Sequence, residues 1–482
     1  MNPRASLSNI GLATVLLGAF LSIADFFIVN VALPTIDSEL HASPATLELV
    51  VAGYGTPYAL ALVLGGRLGD LFGRRRLFMT GMASFTVFSL LCGIAPTAAT
   101  LVAFRALQGL SAALMVPQVL ATIQSACDVR RRARAIGLYG ATAGVAAVVG
   151  QVAGGAILAA NVGGESWRPI FLVTVPIGLV GLALAWRFVP STRSAEPARI
   201  DVAGTLLLAL AVLSLLVPLT EGRALGWPAW SIALLALVLP ALWAFVLVER
   251  RLERTGGHPI VPPSLVRLPG MHRGLALAVP FFVGMGAFFF VCAVTLQEGA
   301  HLSPLHSGLA LAPMAVAFLL ASLCTARLAA RYGRRVLGVG GAIQAVGLVV
   351  LAVDFVEHWP HVDALNLAPG MVVAGVGQGF VMPLLFSFVL AGVPAARAGV
   401  GSGILATTQQ TALALGVATL GSLFLSLSSA SSLGVRDAFV VVLAAQVVVA
   451  AGVAAGSRLL PQPARPAPVE RVPEPEPMLE AA

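Results

Sequence analysis

The chain has 482 residues, 58% of them hydrophobic and only 10% charged, with a formal net charge of +8 and a mean hydropathy of +0.93. That balance excludes a soluble globular protein and gives an all-α integral membrane protein. The positive charge does not mark a nucleic-acid binder: the 29 basic residues are all arginine and lie dispersed between apolar runs, where they serve as orientation signals against anionic headgroups.

Fourteen apolar runs are long enough to cross a bilayer. They cover residues 9–34, 46–66, 77–95, 98–124, 135–160, 168–189, 200–219, 229–248, 273–298, 306–328, 336–356, 366–391, 399–426 and 437–457. An even count puts both termini on one side. All arginines except Arg105, Arg168, Arg223 and Arg436 fall on that side, so the positive-inside rule makes it cytoplasmic. The expectation is a multi-pass protein of the cytoplasmic (inner) membrane with both termini in the cytoplasm.

Span 1 carries Asp25 in Asp-Phe-Phe-Ile-Val-Asn-Val-Ala-Leu-Pro. A carboxylate in hydrocarbon is expensive, so it should face the protein interior and have a partner. Burial disfavours its charged form and a nearby cation favours it; a group held between those pulls can exchange a proton. The alternative is an inert, hydrogen-bonded structural acid. Spans 2 and 3 flank Gly66–Phe78, read as a short loop with Arg67, Arg74, Arg75 and Arg76. Its glycines Gly66, Gly69 and Gly73 allow a tight turn, and Asp70 stands one helical turn from Arg74. On charge alone this is a topogenic basic loop.

Span 4 carries Arg105 and Gln108. Asp25 lies roughly 14 Å below the outer end of span 1 and Arg105 roughly 10 Å below that of span 4, at 1.5 Å per residue, so the two charges have comparable depth. Snorkelling of Arg105 toward the surface is the competing reading. Span 5 holds Gly144, Gly150, Gly154 and Gly155, whose spacing suits close helix packing. Spans 7 and 8 carry almost nothing polar and can face lipid. In the second half, Arg327–Arg335 echoes Arg67–Arg75, with Ala330 in place of Asp70, and Gly375…Pro383 echoes Gly109…Pro117. The echoes match spans 1–6 to spans 9–14 and leave spans 7 and 8 as an insert. That alignment puts Met285 near the Asp25 position and Met371 near the Arg105 position, so the charge layout is lopsided. The tail is rich in Pro, Glu and Ala and reads as disordered linker.

The spacing of Gly66, Asp70, Gly73, Arg74 and Arg75 resembles the loop signature of the major facilitator superfamily. Asp25, Asn30, Ala32, Leu33 and Pro34 are similar to the span-1 signature of its fourteen-span drug:proton antiporters. Arg105, Gln108 and Gly109 resemble a span-4 signature associated in that superfamily with proton transfer. The glycines of span 5 resemble the exporter signature, except that Gln151 stands where the signature has proline. The resemblance implies a major facilitator fold, two six-helix bundles plus two inserted transmembrane helices. Residues 1–195 form the first bundle, 196–270 the linker with the extra helices, 271–458 the second bundle, and 459–482 a disordered cytoplasmic tail. It implies a proton-coupled exporter that works by alternating access, with the ligand site between the halves.

Asp25 and Arg105 are the proton-coupling candidates. Asn30, Tyr54, Tyr58, Gln108, Gln118, Gln151, Gln378, Gln409 and Gln410 are substrate-cavity candidates, although any one of them suits an interhelical hydrogen bond. Sparse acids with many Met, Phe and Gln favour hydrophobic or weakly cationic drug-like substrates. Protons and the lipid bilayer are the other partners, and the protein is expected to be a monomer. No cofactor or metal is expected: the four cysteines fit no metal spacing, and no nucleotide-binding loop is present. An enzyme is not indicated, since no histidine lies deep in a span. The rivals are a dedicated natural-product exporter, a proton-dependent uptake symporter and a non-transporting membrane sensor.

Overall fold

Within hydrocarbon every backbone N–H and C=O must be bonded inside its own segment, so a chain of this composition can only build helices that run from face to face. The computed structural model describes residues 6–42, 44–160, 164, 167–192, 201–222, 226–394, 397–429 and 434–460. The tail expected at 459–482 starts later than that: Leu459 closes a 3-10 turn and Leu460 is buried, while residues 461–482, like the Arg223 loop, lie outside the described residues. Among the described residues there is no strand.

In the first half the helices are α1 (Asn9–Leu40), α2 (Pro44–Phe72), α3 (Arg74–Gly93), α4 (Ala98–Ala126), α5 (Val129–Ala160) and α6 (Pro169–Phe188). Two more follow, α7 (Val202–Glu221) and α8 (Ala229–Arg254). The second half has α9 (Pro269–Val294, closing on a π-turn at Thr295–Gly299), α10 (Pro304–Tyr332), α11 (Arg335–His358) and α12 (Ala364–Leu390). It ends with α13 (Ala398–Gly416, carried through a π-turn at Val417–Gly421 to Ser422–Ser429) and α14 (Val435–Gly456). Among the described residues, fourteen segments are long and apolar enough to cross a membrane. Local chemistry fixes several starts. The Ser8 hydroxyl accepts from the Gly11 N–H ahead of α1, and Thr97 and Thr100 form a capping box on α4. Asp363 accepts from Leu365 and Asn366 ahead of α12. Such caps satisfy the donors that a helix leaves open at its first turn.

The neighbours repeat with an offset of eight helices. α1 packs on α5, α2 on α4, and α3 on α4 and α6; likewise α9 packs on α13, α10 on α12, and α11 on α12 and α14. Between the two sets, α2 and α4 meet α13, and α5 meets α10 and α12. The pair α7–α8 stands apart, touching the bundles chiefly through α2 and α13. There Leu208, Val212 and Leu216 of α7 pack with Ala59 of α2 and Ala414 of α13. The insert therefore covers one seam between the halves.

One expectation needs correction. Gly66–Phe78 is not a loop: α2 runs on to Phe72 and α3 begins at Arg74, leaving only Gly73 between them, with φ +100°. The 29 residues of α2 rise about 44 Å, well beyond the roughly 30 Å of a hydrocarbon core. Its last turns therefore stand in the interfacial region, where charged side chains are tolerated inside a helix. Helix α1 likewise continues past Pro34 to Leu40. We call the side on which α1 begins and α14 ends the terminal face.

Candidate functional site: a buried charge cluster and a closed seam

Asp25 of α1 and Arg105 of α4 lie fully buried inside the first bundle, each 0% exposed. Arg105 Nη1 donates to Asp25 Oδ2 at 2.5 Å and to Gln108 Oε1 at 2.8 Å. The Gln108 amide in turn donates to Asp25 Oδ1 at 2.9 Å and to the Ser89 hydroxyl at 2.7 Å. Both carboxylate oxygens are thereby satisfied, one by a cation and one by a neutral amide. Arg105 Nε donates to the Val50 carbonyl at 3.2 Å, and the guanidinium sits 4.4 Å from the Tyr54 ring centroid. The Tyr54 hydroxyl donates to the Ser22 carbonyl at 2.8 Å, which fixes the ring. The Thr174 hydroxyl of α6 lies 2.8 Å from that of Ser89. Among the described residues Arg105 Nη2, which is buried, has no hydrogen-bond partner, a spare donor in an otherwise closed network.

Every member of this cluster comes from α1–α4 and α6. The pairing of Asp25 with Arg105 matches their counted depths. Snorkelling of Arg105 does not occur, because the Asp25 carboxylate holds its guanidinium inward. Sequence reasoning placed Tyr54 and Gln108 in the substrate cavity; here they belong to the charge cluster. The signal for Gln108 was its spacing of three from Arg105, which puts both on one helix face. Ser89 and Thr174 were missed, since lone hydroxyls on apolar helices carry no pattern.

Between the halves the structure is closed. A small central pocket remains, lined by Gly144 and Val148 of α5, Met285 and Phe289 of α9, Phe318 of α10 and Gln378 of α12. Phe27 of α1 meets Phe289 of α9 with ring centroids 5.6 Å apart. Of the other cavity candidates, Tyr58 is buried with its ring 5.8 Å from that of Tyr54. Gln118 is drawn away from the pocket: its amide donates to the Gly65 carbonyl at 2.8 Å, tying α4 to α2. Gln151 is half-buried beside Gly308 of α10. On α13, Gln409 is buried and Gln410 half-buried. The Asn30 side chain lies outside the described residues.

The glycines of α5 serve two different neighbours. Gly150 and Gly154 pack on Ala24 and Ile28 of α1, within the first bundle. Gly144 and Gly155 pack on Phe318 and Leu305 of α10, across the seam.

At the terminal face, Asp70 reaches across the same seam. It forms a 2.7 Å ion pair with Arg74 and accepts from the backbone N–H groups of Gly399 and Val400, both at 3.3 Å. These open the first turn of α13, so the carboxylate sits at the positive end of a helix from the other half. Gly66 lies directly against the Gly399 carbonyl, which leaves no room there for a side chain. Arg75 donates to the Trp186 carbonyl at the end of α6.

The family model of the Major Facilitator Superfamily matches residues 15–417 and again 274–480. A protein of Streptomyces coelicolor described as "Probable actinorhodin transporter" is 35% identical over 86% of this chain and 72% of its own length. The puromycin resistance protein pur8 of Streptomyces alboniger is 33% identical over 86% of this chain and 81% of its own. Among solved structures, the human organic anion transporter MFSD10 superposes with a TM-score of 0.64 at 15% identity, covering 92% of this chain and 98% of that one. At that identity the likeness concerns the fold alone.

Proposed function

The chain belongs to the major facilitator superfamily, and from that premise we propose that it is a proton-coupled secondary transporter exporting hydrophobic or cationic drug-like compounds. Export rests on the relatives, named for antibiotic transport and resistance. Proton coupling rests on one observation: a carboxylate buried in the membrane between an arginine and a glutamine amide, Asp25 with Arg105 and Gln108. Such a group gains or loses a proton when a cavity reaches it. Protonated Asp25 no longer needs Arg105, whose guanidinium is then free to reorient, and that change biases the packing of α1 on α4. The two bundles rock about the central pocket, and Asp70 latches one end of the seam. The terminal face is the cytoplasmic one, the membrane is the inner membrane, and the protein acts as a monomer.

A dedicated exporter of a single natural product is the second reading, favoured by relatives named for individual antibiotics. A panel of dyes and antibiotics in everted vesicles, with and without a pH gradient, separates these readings. Gradient-dependent uptake of several unrelated compounds supports multidrug export. Uptake of one compound supports the dedicated reading, and uptake that ignores the gradient removes proton coupling.

A further inference from the structure

The seam-covering insert carries a second buried carboxyl site, outside the charge cluster of the first bundle. Asp201 precedes α7 and Glu249 lies in the last turns of α8; they are 8% and 1% exposed. Asp201 Oδ1 accepts from the Gly204 N–H at 2.9 Å, capping α7. Glu249 accepts from the backbone N–H groups of Ile260 and Val261 at 3.3 and 2.9 Å. The remaining oxygen of Asp201 and Oε1 of Glu249 both lie against Gly204, where the two carboxyl groups face each other. Among the described residues no donor reaches Asp201 Oδ2, although it is buried. Two ionised carboxylates in this position have nothing between them but mutual repulsion.

The obvious neutralising cation does not engage them. Arg67 of α2 is 6% exposed, and its Nε is buried without a partner among the described residues. It lies within electrostatic range of Asp201 and Glu249, and also of Asp70 and Arg397. It forms no ion pair with either acid of the insert among the described residues. Its position follows from packing: Val63, one turn earlier on α2, contacts Phe245 and Ile260, and Phe245 is one turn before Glu249. A metal cation fits poorly, because the groups pointing at these carboxylates are backbone N–H donors rather than carbonyls. A proton fits, since it turns one acceptor into a donor aimed at the orphaned oxygen.

We infer that Asp201 and Glu249 share one proton, so that the α7–α8 insert holds a second protonation site at the terminal face, beside Arg67 and the Asp70 latch. The proton comes from water at that face and lies between Asp201 Oδ2 and Glu249 Oε1. Among the described residues, the charged group within electrostatic range of both acids is Arg67 of α2, which is itself within range of Asp70 on α2 and Arg397 ahead of α13. Two acids this close titrate as a pair, not as separate residues.

Infrared difference spectra of the purified full-length protein between two pH values read the carbonyl stretch of protonated carboxyls directly. Glu249→Gln and Asp201→Asn are near-isosteric, and asparagine still caps α7. The wild type should show a pH-dependent carboxyl component that is lost from both single variants, because either acid alone stays ionised. Any component from Asp25 survives in both, so this test does not depend on the central proton site. Persistence of the component in both variants, or its loss from only one, overturns sharing. Loss on adding sodium or calcium at fixed pH makes it a cation site and overturns the proposal.

Discussion

At the scale of single residues, the pairing of Asp25 with Arg105 sets the terms. Burying two charges costs several kcal/mol each, and their attraction repays it only when every hydrogen bond is made. Here Gln108 and Val50 supply hydrogen bonds and the Tyr54 ring a cation–π contact, while Arg105 Nη2 stays without a hydrogen-bond partner among the described residues. Arg105→Ala leaves a carboxylate buried without its cation, and we expect it to destabilise the protein by about 3–5 kcal/mol. The double variant Asp25→Asn with Arg105→Gln removes both charges and should regain most of that stability while still failing to export. Thermal unfolding in detergent, beside gradient-driven transport, reads both halves of the prediction. Equal destabilisation of the single and double variants would show that the pair is not a coupled unit. The sequence alone showed that the two charges shared a depth. It did not show Gln108 as the third member, because a glutamine suits many interhelical bonds.

Among elements, the seam decides what moves. Asp70 joins the first turn of α13 from 329 residues away, a pairing that no local pattern in the chain carries. The local part, Asp70 with Arg74, was legible from their spacing; the long-range part depends on how the bundles dock. Asp70→Asn keeps the side chain's size but removes the charge from the α13 terminus and from Arg74. The terminal face should then spend more time open and turnover should fall, with the fold intact. Spin labels at Arg76→Cys and His272→Cys, both on exposed residues, should report a longer mean distance in that variant. An unchanged distance with normal turnover reduces the motif to a topology signal. Helix α5 offers a paired contrast. Gly150→Leu drives a side chain into Ala24 of α1 within one bundle, and folding should fail. Gly155→Leu meets Leu305 across the seam, so the protein should fold but stall in its cycle. Expression and transport measured side by side separate the two; loss of folding in both would place Gly155 in the static core.

For the whole molecule, the fourteen crossings were legible because each needs a long apolar run, and α1–α14 follow those runs to within several residues. Helix ends were less legible: interfacial residues such as Arg67 and Asp70 look like loop yet continue α2. The repeat of halves was readable from two short echoes, whereas the covering of the seam by α7 follows from three-dimensional packing that lipid-like sequence hides. Orientation has its own test. In a protein freed of its native cysteines, Arg223→Cys should react with an impermeant maleimide in intact cells, and Arg76→Cys should not; the reverse pattern inverts the topology. The central claim is that Asp25 exchanges the coupling proton. The direct measurement is substrate movement in proteoliposomes under an imposed pH gradient, for the wild type and for Asp25→Asn, using a compound identified by the vesicle panel. The account predicts gradient-driven accumulation by the wild type and none by Asp25→Asn, with binding of a neutral substrate retained. Accumulation by Asp25→Asn at the wild-type rate would contradict it and place the proton site elsewhere.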